Sequence, residues 1–125
     1  MPQETIRRAM PVVTTDDPAG TRAFYVDLLG FRVGMEQDGL LMLVSPSEPT
    51  TQVLVTWASE TAMDPAAAGL AMSIEVADVD AAYAEAQSRG LEIIRPLTDE
   101  PWGIRRFFVR EPSGNTINIA QHLTP

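Results

Sequence analysis

The sequence predicts an α+β fold of two βαβββ modules that form a cup-shaped mixed sheet with the helices outside. Three observations predict it. The same order of elements occurs twice, about sixty residues apart. The strand runs alternate apolar and polar positions, and glycine-containing turn signals separate them.

In the first copy, the run Ala9-Met10-Pro11-Val12-Val13 reads as a strand that leads into Asp16-Asp17-Pro18. Asp17 is suited to cap a helix, with Pro18 in its first turn. Phe24 with Leu28, and Tyr25 with Leu29, supply i, i+4 apolar spacing, and Gly30 ends the helix. Three strands follow, over Phe31 to Glu36, Leu40 to Val44 and Gln52 to Trp57, with Asp38-Gly39 as a turn between the first two.

In the second copy, Leu70 to Val76 reads as a strand and Asp78 as a helix cap. Val79, Tyr83 and Ala86 form the apolar stripe of that helix, and Gly90 closes it. The strands expected next are Leu91 to Arg95, Arg105 to Arg110 and Thr116 to Ala120, with Pro112-Ser113-Gly114-Asn115 as a turn. Ser45 to Thr50 and Pro96 to Gly103 read as longer loops. The expected organisation is one compact domain: a first module over residues 1–60, a linker over 61–69 and a second module over 70–125. One unit alone leaves a sheet face bare; two can pack together and enclose a concave surface.

Composition narrows the function. With no cysteine among 125 residues, disulfides, thiolate metal sites and cysteine nucleophiles are excluded. All nine basic residues are arginine, and the net charge of −8 disfavours nucleic-acid and anionic-membrane partners. The start Met1-Pro2-Gln3-Glu4 lacks a basic residue followed by an apolar run, and no apolar stretch reaches the ~20 residues of a membrane helix. The chain is therefore expected to be cytoplasmic.

Two segments carry a resemblance. Ala23-Phe24-Tyr25 with Asp27-Leu28-Leu29-Gly30-Phe31, and Phe108-Val109-Arg110-Glu111-Pro112-Ser113-Gly114-Asn115, resemble motifs of the vicinal-oxygen-chelate superfamily, the glyoxalase/bleomycin-resistance/dioxygenase fold. Glu111 stands where that family usually has aspartate. The resemblance covers nearly the whole chain, and its motif residues define a fold rather than a reaction.

Strand alternation and the family's register together assign side chains to the cup. Met10, Val12 and Thr14 face inward, as do Gln52, Leu54 and Thr56. Ala71, Ser73 and Glu75 do the same in the second half, with Thr116, Asn118 and Ala120. Metal-using members place one His, Glu or Gln ligand on each of four strands, and the resemblance puts those positions at Met10, Leu54, Ala71 and Asn118. Leucine and alanine cannot ligate a divalent ion, a thioether suits hard cations poorly, and a lone amide is weak. One histidine, His122, cannot build a facial iron triad. No metal and no cofactor are expected.

The resemblance to metal-free bleomycin-resistance-like members implies a homodimer that sequesters an antibiotic-like ligand, cationic or aromatic. The expected ligand-binding set is Met10, Val12, Leu54, Thr56, Ala71, Ser73, Trp102, Arg106, Phe108 and Asn118, with the loop carrying Asp99-Glu100-Pro101-Trp102-Gly103 folding over the cup's mouth. Two alternatives stay open. One is a metal-independent lyase or isomerase with Glu75 as general base, its pKa raised by burial. The other is a divergent glyoxalase- or dioxygenase-like enzyme.

Overall fold

A computed structural model describes residues 5–123. The Met1-Pro2-Gln3-Glu4 start, read above for the absence of a secretory signal, lies outside the described residues. No helix among the described residues is long and apolar enough to cross a membrane. The elements in chain order are β1 (Ile6–Thr14), α1 (Pro18–Ala23) running on into a π-helical turn (Phe24–Leu28), β2 (Arg32–Gln37), β3 (Leu40–Val44), β4 (Gln52–Thr56), a 3-10 turn (Pro65–Gly69), β5 (Met72–Val76), α2 (Val79–Ser88), β6 (Ile93–Glu100), β7 (Ile104–Arg110) and β8 (Thr116–His122). Each half thus repeats strand, helix and three strands, the α+β arrangement that the repeat predicts.

The chain divides into two compact units, one of Met10–Leu70 and one of the remaining residues. The division falls inside β1. Its first residues go with the second unit, where the Ala77 N–H donates to the Thr5 carbonyl at 2.9 Å. The stretch 61–69 carries the 3-10 turn, and Ala67 within it is buried.

In the Met10–Leu70 unit, β1 runs parallel to β4 with Val12 opposite Leu54 and Thr14 opposite Thr56. β4 pairs antiparallel with β3, and β3 with β2. Leu41, Leu43, Val53 and Val55 form the core, packed by Val13, Tyr25, Val26, Phe31, Val33 and Trp57. The Asp17 carboxylate caps α1 by accepting from the Gly20 N–H at 3.1 Å. Gly39 turns β2 into β3 with φ of 85°, and a Cβ there would come within 2.7 Å of the Ala62 side chain, so this turn admits no larger residue.

The first helix departs from the expected stripe. Phe24 and Leu28 are 50% and 69% exposed, while Tyr25 and Val26 pack on the core. The cause is the π-turn: the Leu29 N–H reaches back five residues to the Phe24 carbonyl at 3.3 Å, and the wider turn rotates the apolar face by part of a residue.

In the second unit β5 runs parallel to β8, β8 antiparallel to β7, and β7 antiparallel to β6. Helix α2 covers one face. Val79 and Ala86 pack with Val76, Phe107 and Val109, and Tyr83 meets Phe107 edge-to-face at 5.0 Å. Ile74, Ile117 and Ile119 join this core, as their alternation predicts. Asp78 caps α2 by accepting from the Ala81 N–H at 3.0 Å.

Residues 96–100, expected in a loop, belong instead to β6. Pro96 reads as a breaker in sequence, yet it lies at a register shift between Arg95 and Thr98, where a strand tolerates the missing N–H. The connection to β7 is a tight turn over 101–103 in place of a flap. β8 runs to His122, two residues beyond the strand expected to end at Ala120.

The β7–β8 turn is held by the residue that departs from the family pattern. The Glu111 carboxylate accepts from the Asn115 N–H at 2.8 Å, the Ser113 N–H at 3.2 Å and the Ser113 hydroxyl. The Ser113 hydroxyl and then these N–H groups hold its carboxyl below the ordinary value of 4.5.

Two stability predictions follow from these contacts. Phe107→Ala should lower the unfolding free energy by about 3–5 kcal/mol in urea denaturation, because the ring is almost wholly buried against α2. Glu111→Gln should be less stable than the wild type at pH 7. A depressed carboxyl contributes above its unfolded value and loses the contribution as pH falls through its lower folded value. The difference in melting temperature should therefore hold from pH 7 to 5 and shrink below about 4.5.

Candidate functional site in the second unit

With Phe107 and Val109 turned to α2, alternation turns Arg106 and Phe108 to the opposite face. Register then sets which side chains stand beside them. Ser73, Asn118, Phe108 and Arg95 form one row across β5, β8, β7 and β6; Glu75, Ala120, Arg106 and Thr98 form the next. Glu100 and His122 flank Ile104 in the third.

Arg106 is the most consequential member of this face. Its side chain is buried, and its Nε donates to Glu100 Oε2 at 2.6 Å. Arg95 also donates to Glu100, from Nε and from Nη2, at 3.2 Å each. The Arg106 guanidinium carbon lies 4.8 Å from the Phe108 ring centre and 5.2 Å from that of Trp102, within cation–π range. Trp102 remains 36% exposed. Arg105, one residue earlier, points the other way and pairs with Asp99 at 2.6 Å and Asp80 at 3.1 Å. Its hydrogen bond and charge hold the Asp99 carboxyl below the usual range, although burial acts the other way.

Asn118 and Ser73 supply the polar pair of the first row. Both are buried, and Asn118 Nδ2 donates to Ser73 Oγ at 2.9 Å. The Asn118 Oδ1 accepts no hydrogen bond among the described residues. A buried amide oxygen left this way costs about 1–3 kcal/mol unless something donates to it.

Glu75 differs from the expected general base. Its Oε1 lies 3.3 Å from Arg8 and its Oε2 lies 2.6 Å from His122 Nδ1. Burial pushes its carboxyl up, but the hydrogen bonds from His122 and the charges of His122 and Arg8 outweigh it and hold the group below the ordinary glutamate value. A pairing of Glu75 with an arginine is what its place near a strand end allows, and Arg8 supplies it; the His122 partner was not legible, because His122 was expected past the end of the strand.

Of the other expected ligand-binding residues, Ala71 precedes β5 and is partly exposed, its N–H donating to the Thr116 carbonyl at 3.0 Å. In the Met10–Leu70 unit, Met10, Val12 and Thr56 are buried and Leu54 is half-buried. They lie on the face away from Val13, Val53 and Val55, and the Thr56 and Thr14 hydroxyls are 3.2 Å apart. Sequence reasoning missed the roles of Glu100 and Arg95, since assigning 96–103 to a loop hides the continuation of β6 that brings Glu100 to both Arg95 and Arg106.

The donor chemistry does not fit the metal that the fold family uses. The positions marked for ligands hold a thioether, an isobutyl group, a methyl group and one amide. Among the described residues no three His, Cys, Asp or Glu side chains gather as a metal site would need.

The fold and this face define a paired βαβββ chain with an ionic and aromatic nucleus in its second unit. The chain belongs to the Glyoxalase/Bleomycin resistance protein/Dioxygenase superfamily, whose family model matches residues 6–119. No curated protein matches it. Among solved structures, a superfamily member from Vibrio splendidus 12B01 is 19% identical with a TM-score of 0.67, covering 94% of this chain and 99% of that one. A methylmalonyl-CoA epimerase from Streptomyces coelicolor is also 19% identical, with a TM-score of 0.68 and coverage of 97% and 99%. An extradiol ring-cleaving dioxygenase from B. fuscum is 26% identical, with a TM-score of 0.64; this chain is covered over 96% and matches only 33% of the dioxygenase. These likenesses share a fold while the named proteins differ in activity.

The buried ion pair gives a direct test. Glu100→Gln should destabilise the protein by about 3–5 kcal/mol in denaturant unfolding, because it removes the buried carboxylate that Arg106 and Arg95 share. Glu100→Gln combined with Arg106→Met should recover most of that loss.

Proposed function

We propose that this chain is a cytoplasmic, metal-free small-molecule-binding protein of the glyoxalase/bleomycin-resistance type, which sequesters an aromatic, antibiotic-like organic ligand. The observation that carries the reading is the grouping of Trp102, Phe108, Arg106, Asn118 and Ser73 on one face of the second unit. The Trp102 ring offers a stacking surface, worth on the order of 1 kcal/mol beyond simple burial. The Asn118 amide offers a buried acceptor that a ligand N–H or O–H can satisfy. The side chains at the family's metal-ligand positions favour organic contacts over coordination.

A second copy of the chain is the proposed protein partner. Phe24, Leu28 and Leu29 are exposed together and give such a copy an apolar surface to cover.

Tryptophan fluorescence titrated with cationic glycopeptide and aromatic antibiotics tests the reading. A ligand of this class should perturb the emission at micromolar concentration. Trp102→Ala should abolish the response, and mass spectrometry should return the ligand with its mass unchanged. An unresponsive wild type across the panel, or a covalently altered ligand, would overturn sequestration.

A further inference from the structure

We propose that Asn118 and Ser73 form a recognition pair for a cis-amide edge, so that the second unit takes an aromatic lactam. This specificity rests on the ligand-binding reading and names the polar group that the ligand carries.

Register brings the two side chains to one place. Ile74, Ile117 and Ile119 pack on the α2 side, so alternation turns Ser73 and Asn118 to the opposite face. Ser73 is opposite Asn118 across β5 and β8, and Asn118 is opposite Phe108 across β8 and β7. Facing residues of an antiparallel pair set their Cβ atoms about 4.5–5.5 Å apart, so Phe108 is the amide's aromatic neighbour. Ala120, two residues along β8 on the same face, adds only a methyl group. A flat ring that engages the amide therefore has Phe108 beside it and small side chains, Ser73 and Ala120, on two other sides.

The hydrogen-bond inventory of the pair is incomplete in a specific way. Asn118 Nδ2 donates to Ser73 Oγ at 2.9 Å, and Asn118 Oδ1 has no donor among the described residues. Ser73 Oγ accepts in that bond, and its own hydrogen has no acceptor among the described residues. One acceptor, Asn118 Oδ1, and one donor, the Ser73 hydroxyl, are thus left over on side chains in direct contact. Turning the amide over exchanges the roles and leaves Nδ2 as the donor and Oγ as the acceptor. Either way the protein presents a donor next to an acceptor. Ser73 and Asn118 are only 6% and 8% exposed, so the unmet bonds carry the cost of buried polar groups.

The complement is a neutral group with an N–H and a C=O on one edge. A carboxylate accepts only, and it would bring an unpaired charge against Asn118 Oδ1. An open-chain secondary amide is trans and sets its N–H and C=O on opposite sides. A lactam ring enforces the cis form and puts both on the same side. The lactam N–H then donates to Asn118 Oδ1 while the Ser73 hydroxyl donates to the lactam carbonyl. An aromatic ring fused to the lactam gains contact with Phe108. A site of this kind discriminates against an isostere that lacks the N–H, because the protein's own buried acceptor is then left unmatched.

Quinolin-2-one is the probe, with N-methylquinolin-2-one and quinoline as controls that lack the N–H or the whole amide. By isothermal titration calorimetry of the full chain, quinolin-2-one should bind about tenfold more tightly than either control. Asn118→Leu should erase that preference and Ser73→Ala should narrow it, with far-UV circular dichroism unchanged in both. The chain holds two asparagines, Asn115 and Asn118. In protein labelled with 15N-asparagine, quinolin-2-one should shift the Asn118 side-chain amide and leave that of Asn115 in place. Equal affinity for all three compounds would overturn the lactam assignment while leaving ligand binding intact. A folded Asn118→Leu or Ser73→Ala protein with the full preference would overturn the recognition pair. Binding by none of the three would also overturn the assignment, and the antibiotic titration then decides separately whether the ligand-binding reading stands.

Discussion

A guanidinium cannot be buried without an anion against it, and the face of the second unit opposite α2 depends on that constraint. Arg106 lies inside because its neighbours Phe107 and Val109 must face α2. Glu100 then has to reach it, which requires β6 to continue as a strand through Glu100 and to turn back at once. That turn fixes Trp102 beside the guanidinium. The aromatic platform is thus a consequence of where one charge was buried. The same alternation sends Asp99 and Arg105 to the opposite side, where they pair with each other and with Asp80.

The two units repeat a topology but not a chemistry. In the Met10–Leu70 unit the face away from the core carries Met10, Val12, Leu54 and a pair of threonine hydroxyls. In the second unit the equivalent face carries a buried ion pair, an amide with an unused oxygen and a carboxylate shared by an arginine and a histidine. Membership of a superfamily that includes epimerase and dioxygenase folds sets the strand order and nothing more. Function resides in which side chains occupy the inner rows.

Much of the fold was legible. Asp17 and Asp78 announce their helices, and Ile117, Ile119, Ile74 and Val76 mark the face under α2 by strict alternation. The family motifs at Phe24 to Phe31 and Phe108 to Asn115 carried the rest. Three features were not legible. The π-turn at Phe24–Leu28 changes the helical period locally, so an i, i+4 count selects the exposed Phe24, Leu28 and Leu29 along with the packed Tyr25. Pro96 resembles a loop signal because sequence alone does not show a bulge opposite Phe108 and Arg106. His122 looked terminal because Gln121 and His122 have no apolar alternation, although backbone pairing with Arg105 and Ile104 extends the strand to them. The last two misses concern a non-local strand partner, and both hid residues of the candidate site.

The central claim is that organic contacts, not coordination, occupy the positions where relatives of this fold ligate a metal. Anomalous diffraction from crystals grown with zinc, nickel, manganese or iron measures it directly. The account predicts no full-occupancy peak within bonding distance of Met10, Leu54, Ala71 or Asn118. A full-occupancy ion held there, with Asn118 Oδ1 among its ligands, would contradict it.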